Sequence, residues 1–377
     1  MPSWVSTRFG GHMSPTSNNM LQTECASLIV GRNDLILVTG ATGFIGFRLV
    51  ENLLDRGFRN LRCLARPSSK LAKLKALCDR RVDDGACAEV VQGNLLSRED
   101  CAAAVKDVAV IFHLAAARGE KSVPNAFLNS VVTTRNLLEA SLGHQCLRRF
   151  VSISSFSVYS NSHKAQRRLL DESSPIETHP ALRGEAYCFA KVRQDEMVCE
   201  YGKNCGIPYV IVRPGYVYGP GNLAISGRVG TDVFGLFLHL GGSNKIPFTY
   251  VDNCAEAIAL AGLKKGLDGN VFNVVDDDLP SSREFLRMYK RYVKRFRSVY
   301  IPHSISYVLC YLWEQYSAWS ERQLEPVFNR RAWHAAWKKT NYSNQKVKRC
   351  VGWTPKVSTT EGLRRYFEAC RTGGTHA

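Results

Sequence analysis

The stretch LILVTGATGFIG (residues 35–46) joins an apolar run directly to a turn in which glycine recurs at Gly40, Gly43 and Gly46. This pattern predicts a buried strand, a tight turn and the first turn of a helix. Gly40 lets the chain turn sharply, Gly43 lets the backbone approach a pyrophosphate, and Gly46 lets the helix lie against the strand. The first N–H groups and the dipole of such a helix attract phosphates. We therefore expect this turn to bind a dinucleotide.

Between residues 35 and 213, short apolar runs alternate with helical patterns. The strand candidates are residues 35–38, 61–65, 88–91, 108–113, 150–154 and 209–212. Such alternation is typical of βαβ units with a parallel sheet. The predicted fold is therefore α/β, a Rossmann-type doubly wound parallel sheet, followed by a smaller C-terminal substrate-binding lobe.

The composition is that of a basic globular protein: 377 residues, 45% of them hydrophobic, with a formal net charge of +17. Such a charge fits nucleic acid, a membrane surface or an anionic ligand. Lys and Arg outnumber Asp and Glu by about four to one between residues 283 and 349, but they form no known nucleic-acid motif. We expect no nucleic-acid partner, and leave peripheral membrane association open.

The 13 cysteines are scattered singly, with no Cys-x-x-Cys pair or His/Cys cluster. No apolar segment near the start is typical of a secretory signal, and no run reaches the roughly 20 apolar residues that cross a bilayer. These features predict free thiols, no metal site and a cytoplasmic location.

Two segments near the C-terminus carry a helical pattern. Ser281 and Glu284 are spaced as a capping box before an amphipathic helix with many basic residues. Residues 301–319 hold a cluster of aromatic and aliphatic residues. A core or substrate-lid helix is the preferred interpretation of this second segment, with an interfacial helix as the alternative.

Chemistry is indicated by Tyr187 and Lys191, which lie four residues apart and so share one face of a predicted helix. A phenol with an ordinary pKa near 10 is a poor base, but a neighbouring ammonium favours the phenolate and lowers that pKa. Ser155 follows a predicted strand and can hydrogen-bond the same substrate oxygen. Together the three side chains would hold a carbonyl or carbinol while a proton moves through Tyr187.

With these residues added to the glycine turn, the chain resembles the extended short-chain dehydrogenase/reductases, also called the NAD-dependent epimerase/dehydratase family. The motifs that match this family in order are TGATGFIG (39–46), GNL (93–95), FHLAA (112–116), Ser154-Ser155, Tyr187 with Lys191, RPGYVYGPG (213–221), YVD (250–252) and GWTP (352–355). The resemblance covers residues 35–370. Its implied organisation is a poorly ordered extension at 1–33, an NAD(P)-binding Rossmann domain carrying the Ser/Tyr/Lys site at 34–218, and mainly a substrate-binding lobe with C-terminal helices at 219–377.

The resemblance also assigns site residues. It implies that Ser155, Tyr187 and Lys191 are catalytic. The implied cofactor-binding residues are Gly40, Thr42, Gly43, Phe44, Ile45, Gly46, Arg66, Asn94, Leu95, Ala115, Ala116, Tyr187, Lys191, Pro214 and Val217. Where many members have Asn, this chain has Ser130 with Asn129 beside it, and either could support the cofactor or a proton relay.

The choice of cofactor depends on the end of the second strand. An NAD-dependent enzyme usually has Asp or Glu there, which accepts hydrogen bonds from the ribose hydroxyls and repels a 2′-phosphate. This chain instead has Arg66, followed by Ser68 and Lys70. NADP(H) is therefore favoured over NAD(H), with a solvated loop as the alternative role for Arg66.

The substrate is less well specified. The segment around 247–253 and the aromatic segment 301–314 resemble the 3β-hydroxysteroid dehydrogenase and dihydroflavonol reductase branches, which implies an apolar or cyclic ketone or alcohol. Arg118 is a candidate for the same pocket, and Arg228 and Lys245 are candidate phosphate partners. The alternatives are a nucleotide-sugar epimerase or dehydratase that oxidises its substrate transiently, and a non-catalytic dinucleotide sensor. A homodimer formed through helices at 125–142 and 186–204 would also be familiar in this family.

Overall fold

A seven-stranded parallel sheet lies at the centre of the computed structural model, which describes residues 27–68, 70–80, 85, 87–116, 119–120, 122–161, 169–320, 323 and 328–373. The described strands are β1 (Ile36–Thr39), β2 (Asn60–Ala65), β3 (Cys87–Gln92), β4 (Val110–His113), β5 (Arg149–Ile153), β6 (Leu169–Leu170), β7 (Tyr209–Pro214), β8 (Tyr216–Tyr218), β9 (Gly230–Val233), β10 (Leu236–His239), β11 (Phe248–Tyr250), β12 (Asn270–Val274), β13 (Ser298–Tyr300) and β14 (Asn341–Tyr342).

The described helices cover the sheet and extend beyond it. They are α1 (Phe44–Asp55), α2 (Ala72–Asp79), α3 (Arg98–Val105), α4 (Val123–Ala126), α5 (Thr133–Ser141), α6 (Ala186–Cys205), α7 (Val251–Leu263), α8 (Ser282–Tyr292), α9 (His303–Trp319), α10 (Arg330–Trp337), α11 (Gln345–Val351) and α12 (Thr359–Arg371). A π-helical segment, Phe127–Val132, connects α4 to α5. Short 3₁₀ turns lie at Phe156–Val158 and Pro180–Arg183.

The strand order in the large sheet is β12-β7-β5-β4-β1-β2-β3. All neighbouring pairs are parallel, as in β1 with β2 and β1 with β4. β1 is fully buried because helices cover both faces of the sheet, which explains its continuous apolar sequence. The order reverses between β1 and β4, and in doubly wound sheets this is the point where ligands bind, beyond the carboxyl ends of the strands. The predicted Rossmann-type fold is confirmed.

Part of the chain after residue 218 returns to this sheet. β12 pairs with β7 at its edge, and α7 packs against α1. The 219–377 segment therefore contributes one strand and one helix to the sheet layers besides the smaller elements of the lobe.

The N-terminal segment differs partly from its prediction. Residues 1–26 lie outside the described residues. The remainder of the predicted extension is ordered: Val30 is buried, and the Ile29 N–H donates to the carbonyl oxygen of Leu263 at 2.8 Å. A poorly ordered segment over 27–33 was therefore the wrong prediction, because its apolar residues find partners at the end of α7.

The lobe contains a small sheet with the order β13-β10-β9, followed by α9. The predicted capping box of α8, formed by Ser281 and Glu284, is present. α9 occupies the predicted helical segment, but it is not a core helix, because its large apolar side chains, Leu309 and Leu312 among them, are about half exposed. Among the described residues, no helix is long and apolar enough to cross a membrane.

Candidate active site

The turn after β1 has the close approaches that its glycines predict. Gly40 has a φ of +70° and lies against the backbone of Ala115, so a Cβ at Gly40 would be 2.9 Å from that amide nitrogen. A Cβ on Gly46 would collide with the carbonyl oxygen of Gly40. The Gly43 N–H donates to the same oxygen at 2.9 Å. Helix α1 therefore begins immediately beside the end of β1.

The N-terminus of α1 is suited to an anion. Its cap residue is Gly43, which has no side chain to cover the first N–H groups, and its first turn contains no acidic residue. The unpaired N–H groups and the helix dipole both favour a negative charge at this point. Gly40, Thr42 and Gly43 line the cavity in front of the helix.

This cavity has a volume of about 410 Å³ and lies at the reversal between β1 and β4. Eight of the predicted cofactor residues line it: Gly40, Thr42, Gly43, Arg66, Asn94, Leu95, Ala115 and Ala116. The other predicted cofactor residues, Phe44, Ile45, Gly46, Tyr187, Lys191, Pro214 and Val217, are not among its lining residues. A glycine turn at a helix N-terminus that opens into a cavity at the reversal of the strand order fits a dinucleotide.

Sequence reasoning missed several lining residues, including Thr39, Gly119, Glu120 and Thr133, and left the choice between Asn129 and Ser130 open. The structure brings Asn129 to the cavity, whereas Ser130 is buried and its carbonyl oxygen accepts from the Thr133 and Thr134 hydroxyls. The segment is π-helical, so the ordinary helical period does not predict which side chains face the cavity.

Arg66 lies directly after β2 and is exposed at the rim of the cavity. The residues around the end of this strand, Ala65 to Ser68, include no acid. Arg118, a further candidate, lies outside the described residues. The guanidinium of Arg228 is engaged elsewhere: it donates to the carbonyl oxygens of Ala335 and Ala336 at 2.9 and 3.3 Å.

Lys191 is held against the end of β5. Its side chain is 4% exposed, and Nζ donates to the carbonyl oxygen of Ile153 at 2.7 Å. Nζ also lies 5.9 Å from the centre of the Tyr187 ring, one helical turn back along α6. Burial lowers the pKa of Lys191 to about 8, while the charge of Asp195 acts in the opposite direction.

Ser155 lies two residues after Ile153, the residue that Lys191 contacts. Its backbone is extended, and its Oγ accepts from the Ser157 N–H at 3.1 Å, capping the short turn that follows. Pro214 comes two residues after Val212, whose carbonyl oxygen accepts from the Ser154 N–H at 2.8 Å. The C-terminal ends of β5 and β7 and the N-terminal end of α6 therefore bring the predicted catalytic residues and Pro214 to one region.

A buried ion pair, which sequence reasoning missed, lies behind this region. Oδ2 of Asp195 accepts from the Ser154 hydroxyl at 2.9 Å and from Nε and Nη2 of Arg213 at 3.0 and 2.9 Å. Arg213 also donates to the hydroxyl of Tyr159 at 3.1 Å. Burial raises the pKa of Asp195, and Arg213 opposes this shift. The sequence signal for Asp195 was its position four residues after Lys191, on the same face of the helix.

A second buried network connects the β1 turn to α6. His113 lies between the hydroxyls of Thr39 and Thr134, each 2.9 Å from a ring nitrogen. Thr134 donates to the Ser130 carbonyl oxygen and accepts from Gln194 on α6. The Thr134 hydroxyl already donates its proton to the Ser130 carbonyl oxygen, so its oxygen must accept from the His113 ring. We therefore assign the His113 proton to Nε2. Burial lowers the pKa of His113 to about 3, so the ring is neutral.

Residues 36–274 match the model of the NAD dependent epimerase/dehydratase family, which is well over half of the chain. The chain belongs to this family. The matched segment begins at β1 and ends at β12, so it spans the whole large sheet together with the Tyr187 helix.

Among curated relatives, the chain is 29% identical over 266 residues to a trifunctional UDP-glucose 4,6-dehydratase/UDP-4-keto-6-deoxy-D-glucose 3,5-epimerase/UDP-4-keto-L-rhamnose-reductase from Arabidopsis thaliana. That match covers 63% of this chain but 36% of the relative, so the chain spans about a third of that protein's length. A 2-alkyl-3-oxoalkanoate reductase from Stenotrophomonas maltophilia is 26% identical over 346 residues, covering 88% of this chain and 97% of the relative.

Among solved structures, UDP-glucuronic acid 4-epimerase from Bacillus cereus in complex with NAD is similar with a TM-score of 0.64 and 22% identity. The match covers 90% of this chain and 99% of that one. At this identity the likeness supports the fold, and it extends over the lobe as well as the sheet.

Proposed function

We propose that this family member is an oxidoreductase that transfers a hydride between NADP(H) and a secondary alcohol or ketone of an apolar or cyclic substrate. The observation that carries the proposal is the position of Lys191, bonded to the end of β5 beside Ser155 and one helical turn from Tyr187. These groups stand beyond the carboxyl end of β5, which neighbours β4 in the sheet, and residues that directly follow β4 line the cavity.

The proposed roles follow from chemistry. The dinucleotide, when bound, supplies or accepts the hydride. Tyr187 gives a proton to the substrate oxygen as a ketone is reduced, or removes it as an alcohol is oxidised. The buried ammonium of Lys191 favours the phenolate of Tyr187 in the second direction. Ser155 donates a hydrogen bond to the same substrate oxygen and holds it in place.

Two observations support an apolar substrate. Arg228, a candidate partner for the diphosphate of a nucleotide sugar, already donates to backbone oxygens of α10. The relative that matches over nearly its full length is named as a reductase of 2-alkyl-3-oxoalkanoates. A cytoplasmic location, a homodimer and the likeness to the hydroxysteroid dehydrogenase branch stay predictions.

The second candidate function is transient oxidation of a nucleotide sugar by an epimerase or dehydratase. It is favoured by the names of the Arabidopsis relative and of the Bacillus epimerase. The two functions differ in their hydride balance, since an epimerase or dehydratase returns the hydride to its own substrate.

Turnover with NADPH therefore distinguishes them. We expect net oxidation of NADPH, followed by its absorbance, with a panel of apolar cyclic ketones and none with UDP-sugars. Conversion of a UDP-sugar without net NADPH oxidation would support the second candidate instead. Binding of NADPH without turnover of either panel would contradict both and favour a dinucleotide sensor.

The proposed preference for NADP(H) rests on Arg66. Replacing it with Asp should weaken NADPH binding relative to NADH about tenfold to a hundredfold, because a charged hydrogen-bonding partner of the 2′-phosphate is replaced by a like charge. Calorimetric Kd values for both cofactors measure this. Lys75→Gln on α2, exposed and not among the residues that line the cavity, is the control and should change neither Kd. A lower Kd for NADH than for NADPH in the native protein would contradict the role proposed for Arg66.

A further inference from the structure

Helix α9 buries small side chains and exposes large apolar ones. The residues it buries are small: Ser306, Cys310 and Ser317 are 4%, 5% and 2% exposed and lie on one face. Its opposite face exposes large apolar side chains at i, i+3, i+4, i+7, i+11 and i+14: Ile305, Val308, Leu309, Leu312, Tyr316 and Trp319. Ordinary surface helices have the reverse arrangement.

The inner face is fixed to the protein, which determines the orientation of the helix. The Ser306 hydroxyl accepts from the indole N–H of Trp333 at 2.9 Å, and Glu314 accepts from the Arg330 backbone and side chain on α10. The apolar face is therefore held outward by contacts on the opposite side. Glu314 is the single charged residue of α9, so the exposed face carries no charge.

The small sheet, whose strand β13 directly precedes α9 in the chain, also has exposed apolar side chains. Val299 and Tyr300 of β13 are 46% and 43% exposed. At the tip of the β9–β10 hairpin, Phe234 is fully exposed and has a φ of +50°, which is unfavourable for a bulky residue. Several large apolar side chains exposed in one lobe indicate an interaction site.

A basic segment adjoins this surface. Seven cations lie between residues 283 and 297, against one acid, Glu284. They are Arg283, Arg287, Lys290, Arg291, Lys294, Arg295 and Arg297. None of the seven forms a salt bridge within 4 Å among the described residues. The Phe237 N–H donates to the carbonyl oxygen of Arg297 at 3.2 Å, so this segment lies beside the hairpin that carries Phe234.

We propose that α9 and the β9–β10 hairpin tip dock this protein on an anionic lipid bilayer. The apolar face of α9 would lie in the interfacial layer, with its aromatic residues at the headgroup level, while the cations of the 283–297 segment contact the headgroups. A second copy of the chain fits less well. A symmetric interface on this surface would bring the cations near their own copies, on a chain with net charge +17.

Docking there would also orient the catalytic region. α10, on which α9 packs, lies against the segment before α6: the Asn329 side chain donates to the Arg183 carbonyl oxygen at 2.8 Å. On the same side, the ring of Phe156, which follows Ser155, stacks on Tyr342. Contacts through α10 therefore connect α9 to the segment that leads into the Tyr187 helix. The membrane proposal stands on the exposed surface and does not depend on the substrate.

Sedimentation of the full chain with vesicles tests the proposal. We expect binding to vesicles that contain phosphatidylserine, weaker binding to pure phosphatidylcholine, and loss of binding at high salt. Leu309→Ser/Leu312→Ser should weaken vesicle binding at least about tenfold. Arg291→Gln/Arg295→Gln should weaken it about fivefold for each cation removed.

The matched control is Leu128→Ser/Leu142→Ser, which removes two leucines that are 46% and 42% exposed on the π-helical segment and after α5. It should bind vesicles as the native protein does, and all three variants should retain NADPH binding, which shows that they fold. Equal vesicle binding by the α9 variant and this control, or no binding to anionic vesicles at low salt, would overturn the proposal. Dimers in analytical ultracentrifugation that Leu309→Ser/Leu312→Ser dissociates would also overturn it, in favour of a second copy.

Discussion

Replacing Tyr187 with Phe should lower kcat about a hundredfold to ten-thousandfold, because the change removes the hydroxyl proposed to exchange a proton with the substrate. The ring keeps its position beside Nζ of Lys191. The cofactor cavity is lined by other residues, so we expect the Kd for NADPH to stay within about twofold, a change of less than 0.5 kcal/mol. Stopped-flow reduction of the best ketone measures the hydride step directly.

Tyr201→Phe is the matched control, because Tyr201 lies on the same helix and its hydroxyl contacts Glu139 at 3.4 Å, outside the site. This variant should turn over as the native protein does. Native turnover by Tyr187→Phe would refute the catalytic role of Tyr187. Loss of both turnover and NADPH binding would instead indicate damage to the fold, and thermal unfolding of the two variants separates these cases.

Six of the seven strands could be predicted from sequence because each contains a short apolar run, whereas β12 was not among the strand candidates. β1 and β4 are buried at every position, so their composition alone marks them. The N-terminal neighbours of the sheet could not be predicted in the same way. Val30 is buried where its neighbour Ile29 bonds to the end of α7, more than two hundred residues later, and such a short apolar run in a polar segment gives no periodic signal.

Helix α9 shows the opposite failure. Its apolar content indicated a core helix, but hydrophobic composition does not specify which face is buried. Contacts with α10 determine which face of α9 is buried. Trp333 donates to the Ser306 hydroxyl and Arg330 pairs with Glu314, so the face of α9 with small and polar side chains packs on α10. The large apolar side chains of α9 are therefore exposed to solvent. No pattern within residues 303–319 contains that information.

The candidate site also has one part that the sequence predicts and one part that it does not. Its glycines and the Tyr187–Lys191 spacing depend on local geometry, so they are visible in the sequence. The ion pair of Asp195 with Arg213 joins a helix to a strand, and the carboxylate also holds Ser154 at the end of a third element. Such a contact depends on the topology of the sheet, which brings the helix and the strands together, so the sequence alone does not indicate the pair.

Removing this ion pair should have the largest effect on stability. Asp195→Ala leaves the Arg213 guanidinium, with a side chain 7% exposed, without its counter-charge. Breaking a buried pair from one side costs about 3–5 kcal/mol. We expect the free energy of unfolding, from urea titration, to fall by this amount. Glu196→Gln, the next residue on α6, removes an exposed carboxylate paired with Arg193, and should change the free energy of unfolding by less than about 0.5 kcal/mol.

Asp195→Asn tests whether the carboxylate also positions the charge of Lys191. The Asp195 carboxylate favours the ammonium form, so its neutralisation should move the pKa of Lys191 below its value of about 8. Activity that requires the ammonium is lost as pH rises through that pKa. The alkaline limb of the kcat profile should therefore shift to lower pH in Asp195→Asn and stay unchanged in Glu196→Gln. If Asp195→Asn loses stability while its alkaline limb stays in place, Asp195 supports the fold alone, because the ion pair with Arg213 would then act without reaching Lys191.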